Sequence, residues 1–467
     1  MKKVEIKKST RTLFGADVDM LSGALPSSLI KYAFPLILTS MLNVLYNAAD
    51  IAVVGNFASP TAVASIGATS STINLIVMVF INISNGMSII LARYRGASDV
   101  INVRKSISTG YAFSLVFGVI VMSMGWLLAE PMMKITGCPD NVIDGAVLYI
   151  KLYMIGVPAS MFYNFMSTVL RTMGDSRRPF IYLALSGLAN VVFNLIFVLC
   201  FKMDVDGVAI ATVISQYLSA VLLFVRLVRF RDENRLQPLQ IKAYGDTLGK
   251  MIRYGIPSAI SGASFSLSNI IIQSAINEYG DYAIAGNTAG GHIETIFLYS
   301  ITAPLCQTAA TFIGQNIGAG NRERVAKIAR QIYLYGAAFV AVIGTVSLIF
   351  GRELLTLFVG SDAASVDFGI VGLRLKMMFC VVFVLLQVSN GIMQAFGFTT
   401  YQMINSLVGI VGVRFIWMLL VYPIPAMHTP IVLYICYGLT WIISLIGAMP
   451  VALTLLRKYK KGKEFKL

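Results

Sequence analysis

Charge is scarce in this chain: Asp, Glu, Lys and Arg make up 13% of its 467 residues, where a soluble globular protein carries about 25%. So few charges cannot coat a water-exposed surface of this length, and lipid is the expected solvent for most of the chain. Histidine occurs twice, and the five cysteines (Cys138, Cys200, Cys306, Cys380, Cys436) are scattered without CxxC spacing. Neither a metal site nor a disulfide framework is expected. The absence of a GxxxxGK[ST] loop disfavours an ATP-driven pump. Residues 1–29 are charged and hold no apolar core followed by small residues, so no cleavable signal peptide is expected and the first span serves as the insertion signal. No segment between apolar stretches exceeds about twenty residues, too few for an extramembrane signalling domain.

Apolar residues are abundant instead: 57% of the chain is hydrophobic and the mean hydropathy is +0.76. A bilayer core asks for about 20 apolar residues per spanning helix. The chain divides into such stretches at roughly 30–56, 62–91, 107–130, 143–168, 179–201, 207–228, 249–277, 282–313, 327–350, 366–394, 402–424 and 430–456. The spacing predicts an all-α polytopic membrane protein of twelve transmembrane helices. A β-barrel would show short segments of strict alternation; these are longer and apolar on all sides.

The formal net charge of +15 would suit nucleic acid if it were spread over a surface. It is not. With twelve spans the loops alternate sides, and thirty of the 37 Lys and Arg residues fall on the side that holds both termini. The other seven, Lys134, Lys151, Lys202, Arg352, Arg374, Lys376 and Arg414, lie on the opposite side or within spans. This bias is the positive-inside pattern. It predicts a multi-pass protein of the cell (inner) membrane with both termini cytoplasmic, in contact with membrane lipids and not with nucleic acid.

The chain repeats itself. Ile30-Lys31-Tyr32-Ala33-Phe34-Pro35 opens the first span and Ile252-Arg253-Tyr254-Gly255-Ile256-Pro257 the seventh, 222 residues later. Gly96-Ala97 matches Gly318-Ala319 and Lys105 matches Lys327 at the same offset, while Gly137 matches Gly360 and Gly174 matches Gly397 at 223. Six spans return the chain to its starting side, so the halves share one topology about an axis along the membrane normal. The expected organisation is an N-terminal lobe at 1–228, an inter-lobe linker at 229–248, and a C-terminal lobe with a basic tail at 249–467. Two such lobes enclose a cleft that can open to either face by rocking. Pro35 and Pro257 recur at matching places and are read as shared structural or hinge positions.

A charge at membrane depth is costly, about 2.5–3.5 kcal/mol even on insertion scales, and marks a functional candidate. Asp50, Glu294 and Arg414 are the main ones near span centres. Asn43 and Asn47 precede Asp50 at helical spacing with Tyr46 beside them, and Asn190 and Asn194 form an i,i+4 pair on the fifth span. A polar stripe of this kind cannot face lipid. Asp50, Asn47, Asn190 and Asn194 are assigned to a coupling-ion or proton site, and Asp50, Asn43, Tyr46 and Glu294 to substrate. Glu294 has two readings, cleft lining or a structural partner of Arg414, and His292 is read as structural. The charges of the cleft are expected to be net acidic.

Several segments together resemble the multidrug and toxic compound extrusion (MATE) family of bacterial transporters, over about residues 20–455. They are Pro35-Leu36-Ile37, Tyr46-Asn47-Ala48-Ala49-Asp50 with Val54-Gly55, Leu170-Arg171-Thr172-Met173-Gly174-Asp175, Asp206-Gly207-Val208-Ala209-Ile210-Ala211-Thr212-Val213-Ile214-Ser215-Gln216, and Gly314-Gln315-Asn316-Ile317-Gly318-Ala319-Gly320. The resemblance implies two pseudo-symmetric six-helix lobes and export of amphipathic, often cationic compounds against H⁺ or Na⁺, with no cofactor beyond the coupling ion. The family's first-span aspartate falls on Asp50. Its fifth-span asparagine falls on Asn190, but the aspartate four residues on is here Asn194. Near the seventh-span glutamate of some members this chain has Phe265, and its tenth span has no acid, which speaks against a second-lobe Na⁺ site.

The leading reading is thus a secondary multidrug antiporter, not an enzyme, working as a monomer on small-molecule drugs. A flippase for a lipid-linked saccharide of the same superfamily is the alternative. A non-transporting membrane receptor or scaffold ranks third.

Overall fold

The computed structural model describes residues 18–57, 59–229, 241–360 and 362–465. The described chain is helical. The first six spans are α1 (Leu25–Phe57), α2 (Pro60–Gly96), α3 (Val100–Ile135), α4 (Asp140–Thr172), α5 (Arg177–Leu195) and α6 (Val205–Val228). Next come α7 (Gly245–Asn277) and α8 (Asp281–Glu294), which runs through a π-helical turn (Thr295–Tyr299) into α9 (Ser300–Gly318). Then follow α10 (Arg322–Ile349), a short α11 (Gly351–Val359), α12 (Ala363–Met378) and α13 (Cys380–Ala395). Last are α14 (Thr399–Ser406), joined by a π-helical turn (Leu407–Gly412) to α15 (Val413–Leu420), and α16 (Pro430–Lys460). A third π-helical turn, Ile196–Cys200, continues α5.

Eleven continuous helices are long and apolar enough to cross a bilayer, and α12 with α13 makes the twelfth, bent by 52°. The sequence pattern predicts one straight span at 366–394; the bend at Phe379 is new. No proline sits there. At the bend the Phe379 ring lies where a side chain on Gly438 of α16 would be, 2.3 Å from an ideal Cβ. Of the predicted 229–248 linker, residues 230–240 lie outside the described residues.

Spans pack through small residues. On α3, Ser106, Gly110, Ser114, Gly118, Gly125 and Ala129 are buried, while Val116 and Leu127 on other faces are exposed. Lipid tails are as apolar as leucine, so helices associate where small side chains let backbones approach. Helix α4 is the buried axle of the first lobe, against α2, α3 and α6; α13 is that of the second, against α9, α10 and α16. Polar caps fix the turns: Asp99 accepts from the Asn102 amide at the start of α3, and Thr429 from Val432 at the start of α16.

The repeat becomes visible where the lobes meet. A Cβ on Gly96 would lie 1.9 Å from the Gln315 carbonyl oxygen, and one on Gly318 2.1 Å from that of Arg93. Arg93 and Gln315 are themselves 222 residues apart, so one contact is the two-fold image of the other. The side chains follow the same symmetry. Gln315 Nε2 donates to the Thr172 carbonyl (2.5 Å), and Arg93 Nε and Nη2 donate to that of Ala395 (3.0 and 2.8 Å). Each lobe thus holds the end of the other lobe's axle helix. Arg324 adds bonds to the carbonyls of Met20 and Gly23, Asn316 one to Met20, and Arg93 Nη1 one to Phe465. These ties gather at the end carrying the basic loops.

Candidate functional site

Within the first lobe, Asp50 comes down on α1 and meets the Asn190–Asn194 pair of α5. Asn194 Nδ2 donates to Asp50 Oδ1 at 2.6 Å and to Asn190 Oδ1 at 3.3 Å. Asn190 Nδ2 in turn reaches Thr212 Oγ1 on α6 at 3.4 Å, and Thr212 donates to the Val208 carbonyl. Tyr149 and Tyr153 of α4 stand within electrostatic reach of Asp50. Asn190 and Asn194 are buried, and Asp50 is half-buried at the edge of the group. Four helices therefore converge on one carboxylate surrounded by neutral polar groups.

The other residues predicted for this site lie as follows. Tyr46 turns away from Asp50: its hydroxyl donates to the Leu183 and Ala184 carbonyls of α5 at 3.0 and 3.2 Å. Its ring fills the space that Gly187 leaves free, so it clamps α1 to α5. Asn43 is exposed on α1. Asn47 belongs to α1, but its side chain lies outside the described residues. Pro35 and Pro257 sit inside α1 and α7, each in the half nearer the basic end.

Glu294 lies elsewhere, within the second lobe. It does not pair with Arg414, one of the two readings of the sequence; its Oε2 accepts from Lys376 Nζ of α12 at 2.5 Å, with both residues only 4% exposed. Arg414, fully buried on α15, donates through Nη1 to Ser268 Oγ (2.8 Å) and Asn269 Oδ1 (2.7 Å) of α7. Its guanidinium lies 4.0 Å from the ring centre of Tyr437, and Lys376 Nζ 4.7 Å from the same ring. Lys376 and Arg414 thus set two cations beside Glu294 within the second lobe. Phe265, which takes the place of an acid, packs edge-on against Phe383. His292 stacks on Phe358.

Lys376, Thr212, Tyr149 and Tyr153 escaped the reading of the sequence. For Lys376 the signal was present, a lysine inside the apolar run 366–394; for the others only proximity in space could show it. The π-helical turns follow the same residues. One begins two residues after Asn194, another directly after Glu294, and the third ends two residues before Arg414. A π turn rotates the following helix face and frees a carbonyl, and it is frequent at functional sites.

The first-lobe group can hold one positive charge in two ways. The Asn194 amide now presents its NH₂ to the Asp50 carboxylate, while its Oδ1 is buried with no hydrogen-bond partner among the described residues. Turned over, that oxygen accepts a proton carried on Asp50, or joins Asn190 Oδ1 and Thr212 Oγ1 around a small cation.

The MatE family model matches residues 35–196 and again 257–420, two copies that begin at the equivalent Pro35 and Pro257. Among relatives, the chain is 27% identical to the probable multidrug resistance protein YpnP of Bacillus subtilis (strain 168), over 85% of this chain and 88% of that one. It is 24% identical to the probable multidrug resistance protein NorM of Thermotoga maritima, over 82% of each. Among solved structures, the crystal structure of MATE in complex with MaL6 superimposes with a TM-score of 0.88 at 18% identity, covering 96% of this chain and all of that one. With two copies of the family model together covering most of its length, an all-helical twelve-span fold and that superposition, the chain belongs to the MatE family of multidrug efflux transporters.

Proposed function

We propose that this protein exports amphipathic, often cationic compounds from the cytoplasm in exchange for entry of one cation, H⁺ or Na⁺, at Asp50. The observation that carries this reading is the chain Asp50–Asn194–Asn190–Thr212: one carboxylate whose hydrogen-bond partner among the described residues is a neutral amide able to reverse. A carboxylate so placed gains or loses a full unit of charge without a competing ion pair, and so biases which conformation the lobes adopt. The membrane is the cell membrane, with the basic loops and both termini on the cytoplasmic side. On that assignment the two-fold clasp of Arg93 and Gln315 closes the cytoplasmic end, and the described state faces outward. Release of the clasp lets the lobes rock and open that end, which supplies alternating access, with the N- and C-terminal lobes as the moving bodies. The transporter works without a further cofactor.

The flippase reading asks for cations on the cleft wall. Lys376 and Arg414 are sealed inside the second lobe instead, which favours the efflux reading.

The test is dye efflux and drug susceptibility in a host lacking its own pumps. Asp50→Asn is expected to abolish resistance while the protein still reaches the membrane. Proteoliposomes given a proton gradient or a sodium gradient separately identify the coupling ion. Undiminished efflux by Asp50→Asn under both gradients overturns the proposal.

A further inference from the structure

The buried charges of the second lobe do not balance among themselves. Lys376 and Glu294 neutralise each other through Nζ and Oε2, while Arg414 makes no ion pair with a carboxylate among the described residues. Its Nη1 is satisfied by two neutral oxygens and its face by the Tyr437 ring. Its Nε and Nη2 find no hydrogen-bond partner among the described residues, although the side chain is fully buried. The indole Nε1 of Trp441, also fully buried and one turn beyond Tyr437 on α16, is unpartnered in the same way. An unpaired guanidinium with two idle donors is among the costliest arrangements in an apolar interior. An acceptor that also carries negative charge removes both costs together.

The repeat sharpens the point. Lys376 stands 223 residues after Tyr153, and Arg414 223 after Val191. Tyr153 borders Asp50, and Val191 adjoins Asn190. In the position where the second lobe would carry the counterpart of Asp50 the chain has Ile272. The two lobes thus hold buried polar groups in related places with opposite sign, a carboxylate in the first and an excess cation in the second.

We infer that the second lobe holds a site for a single anionic group, accepted by the idle Nε and Nη2 of Arg414 and supported by the charge of Lys376. The group is a small singly charged anion, a halide such as chloride or a small carboxylate such as acetate; both offer one negative charge and an acceptor to the same two donors. Binding is separate from cation exchange at Asp50 and does not depend on the efflux reading.

The experiment uses the purified full chain in detergent micelles. Its unfolding temperature is followed while chloride or acetate replaces gluconate at constant ionic strength, gluconate being too bulky for a sealed site. A saturable rise is expected for the native protein and none for Arg414→Gln. Glu294→Gln leaves Lys376 unpaired as well, so its half-saturating anion concentration is expected to fall about tenfold or more, because a second unscreened charge lies close by. If Arg414→Gln does not fold, the native protein and Glu294→Gln decide the matter between them. A response to chloride alone supports a halide; a response to acetate that competes with chloride supports a site that also takes a small carboxylate. No saturable anion effect in the native protein and in Glu294→Gln, or saturation of Arg414→Gln at the native concentration, overturns the inference. Asp50→Asn binds the anion normally on this account, so loss of transport in that variant and loss of anion binding in Arg414→Gln are independent results.

Discussion

Gly187 has no side chain because Tyr46 occupies that space: a Cβ there would lie 1.8 Å from the Cζ of the ring. The ring is held by two backbone carbonyls of α5 and has nowhere to retreat. Gly187→Ala is therefore expected to push α1 off α5 and to cost about 1–3 kcal/mol, the usual penalty of overpacking, measurable as a lower unfolding temperature in detergent. Because Asp50 meets Asn194 only while those two helices touch, efflux should fall with it. Tyr46→Phe keeps the ring and loses only hydrogen bonds, so it should cost no more than about 1.5 kcal/mol. A second residue-scale prediction concerns the turn before α1. Burial raises the affinity of Asp19 for its proton, but hydrogen bonds from the Ser22 hydroxyl and the Ser22 and Leu21 amides outweigh it and hold the carboxyl below its ordinary value. A depressed folded-state value contributes stability above the unfolded value, and this is lost as pH falls through the folded one. Acid should then loosen the 18–23 turn, whose carbonyls tie down Arg324. Hydrogen exchange of that turn should rise in acid in the native protein and be flat in Asp19→Asn.

At the scale of elements, the bent α12–α13 span is tied to α8 by the Lys376–Glu294 pair three residues before the bend. Removing one member of a buried pair strands the other. Glu294→Gln alone should cost about 3–5 kcal/mol, whereas a double replacement by apolar residues of like volume, Glu294→Leu with Lys376→Met, should be close to neutral. A double-mutant cycle of Glu294→Leu and Lys376→Met, singly and together, measures this on unfolding temperature; single losses that simply add in the double variant would mean that the pair contributes nothing. The π-helical turns beside Asn194, Glu294 and Arg414 belong to this scale as well. Each sets the direction in which a buried polar side chain points, and helical spacing counted at 3.6 residues per turn does not anticipate it.

For the molecule as a whole, the Gly96–Gln315 and Gly318–Arg93 contacts join the lobes at the basic end with no space for a side chain at either glycine. Gly318→Val should wedge the two lobes apart there and shift the population toward the state open at that end. Electron–electron distance measurements between spin labels on the two lobes should show a longer distance at the basic end and a shorter one at the other. An unchanged distribution with intact folding would show that this contact does not hold the lobes closed.

The sequence by itself settled the class of molecule. Apolar runs near 20 residues, the one-sided basic loops and the offset of 222 between Pro35 and Pro257 are properties of order along the chain, and in a bilayer that order leaves a helix for each run and a matching lobe for each repeat. It also picked out Asp50, Asn190, Asn194, Glu294 and Arg414, since polar groups inside apolar runs stand out without coordinates. Partners were decided only by the tertiary structure. Asp50 and Asn194 are 144 residues apart and Glu294 and Lys376 82, and which buried groups meet depends on helix rotation, on π turns and on the bend at Phe379. Those are set by packing between helices, where a shift of a few ångströms decides whether a carboxylate faces an amide or an ammonium.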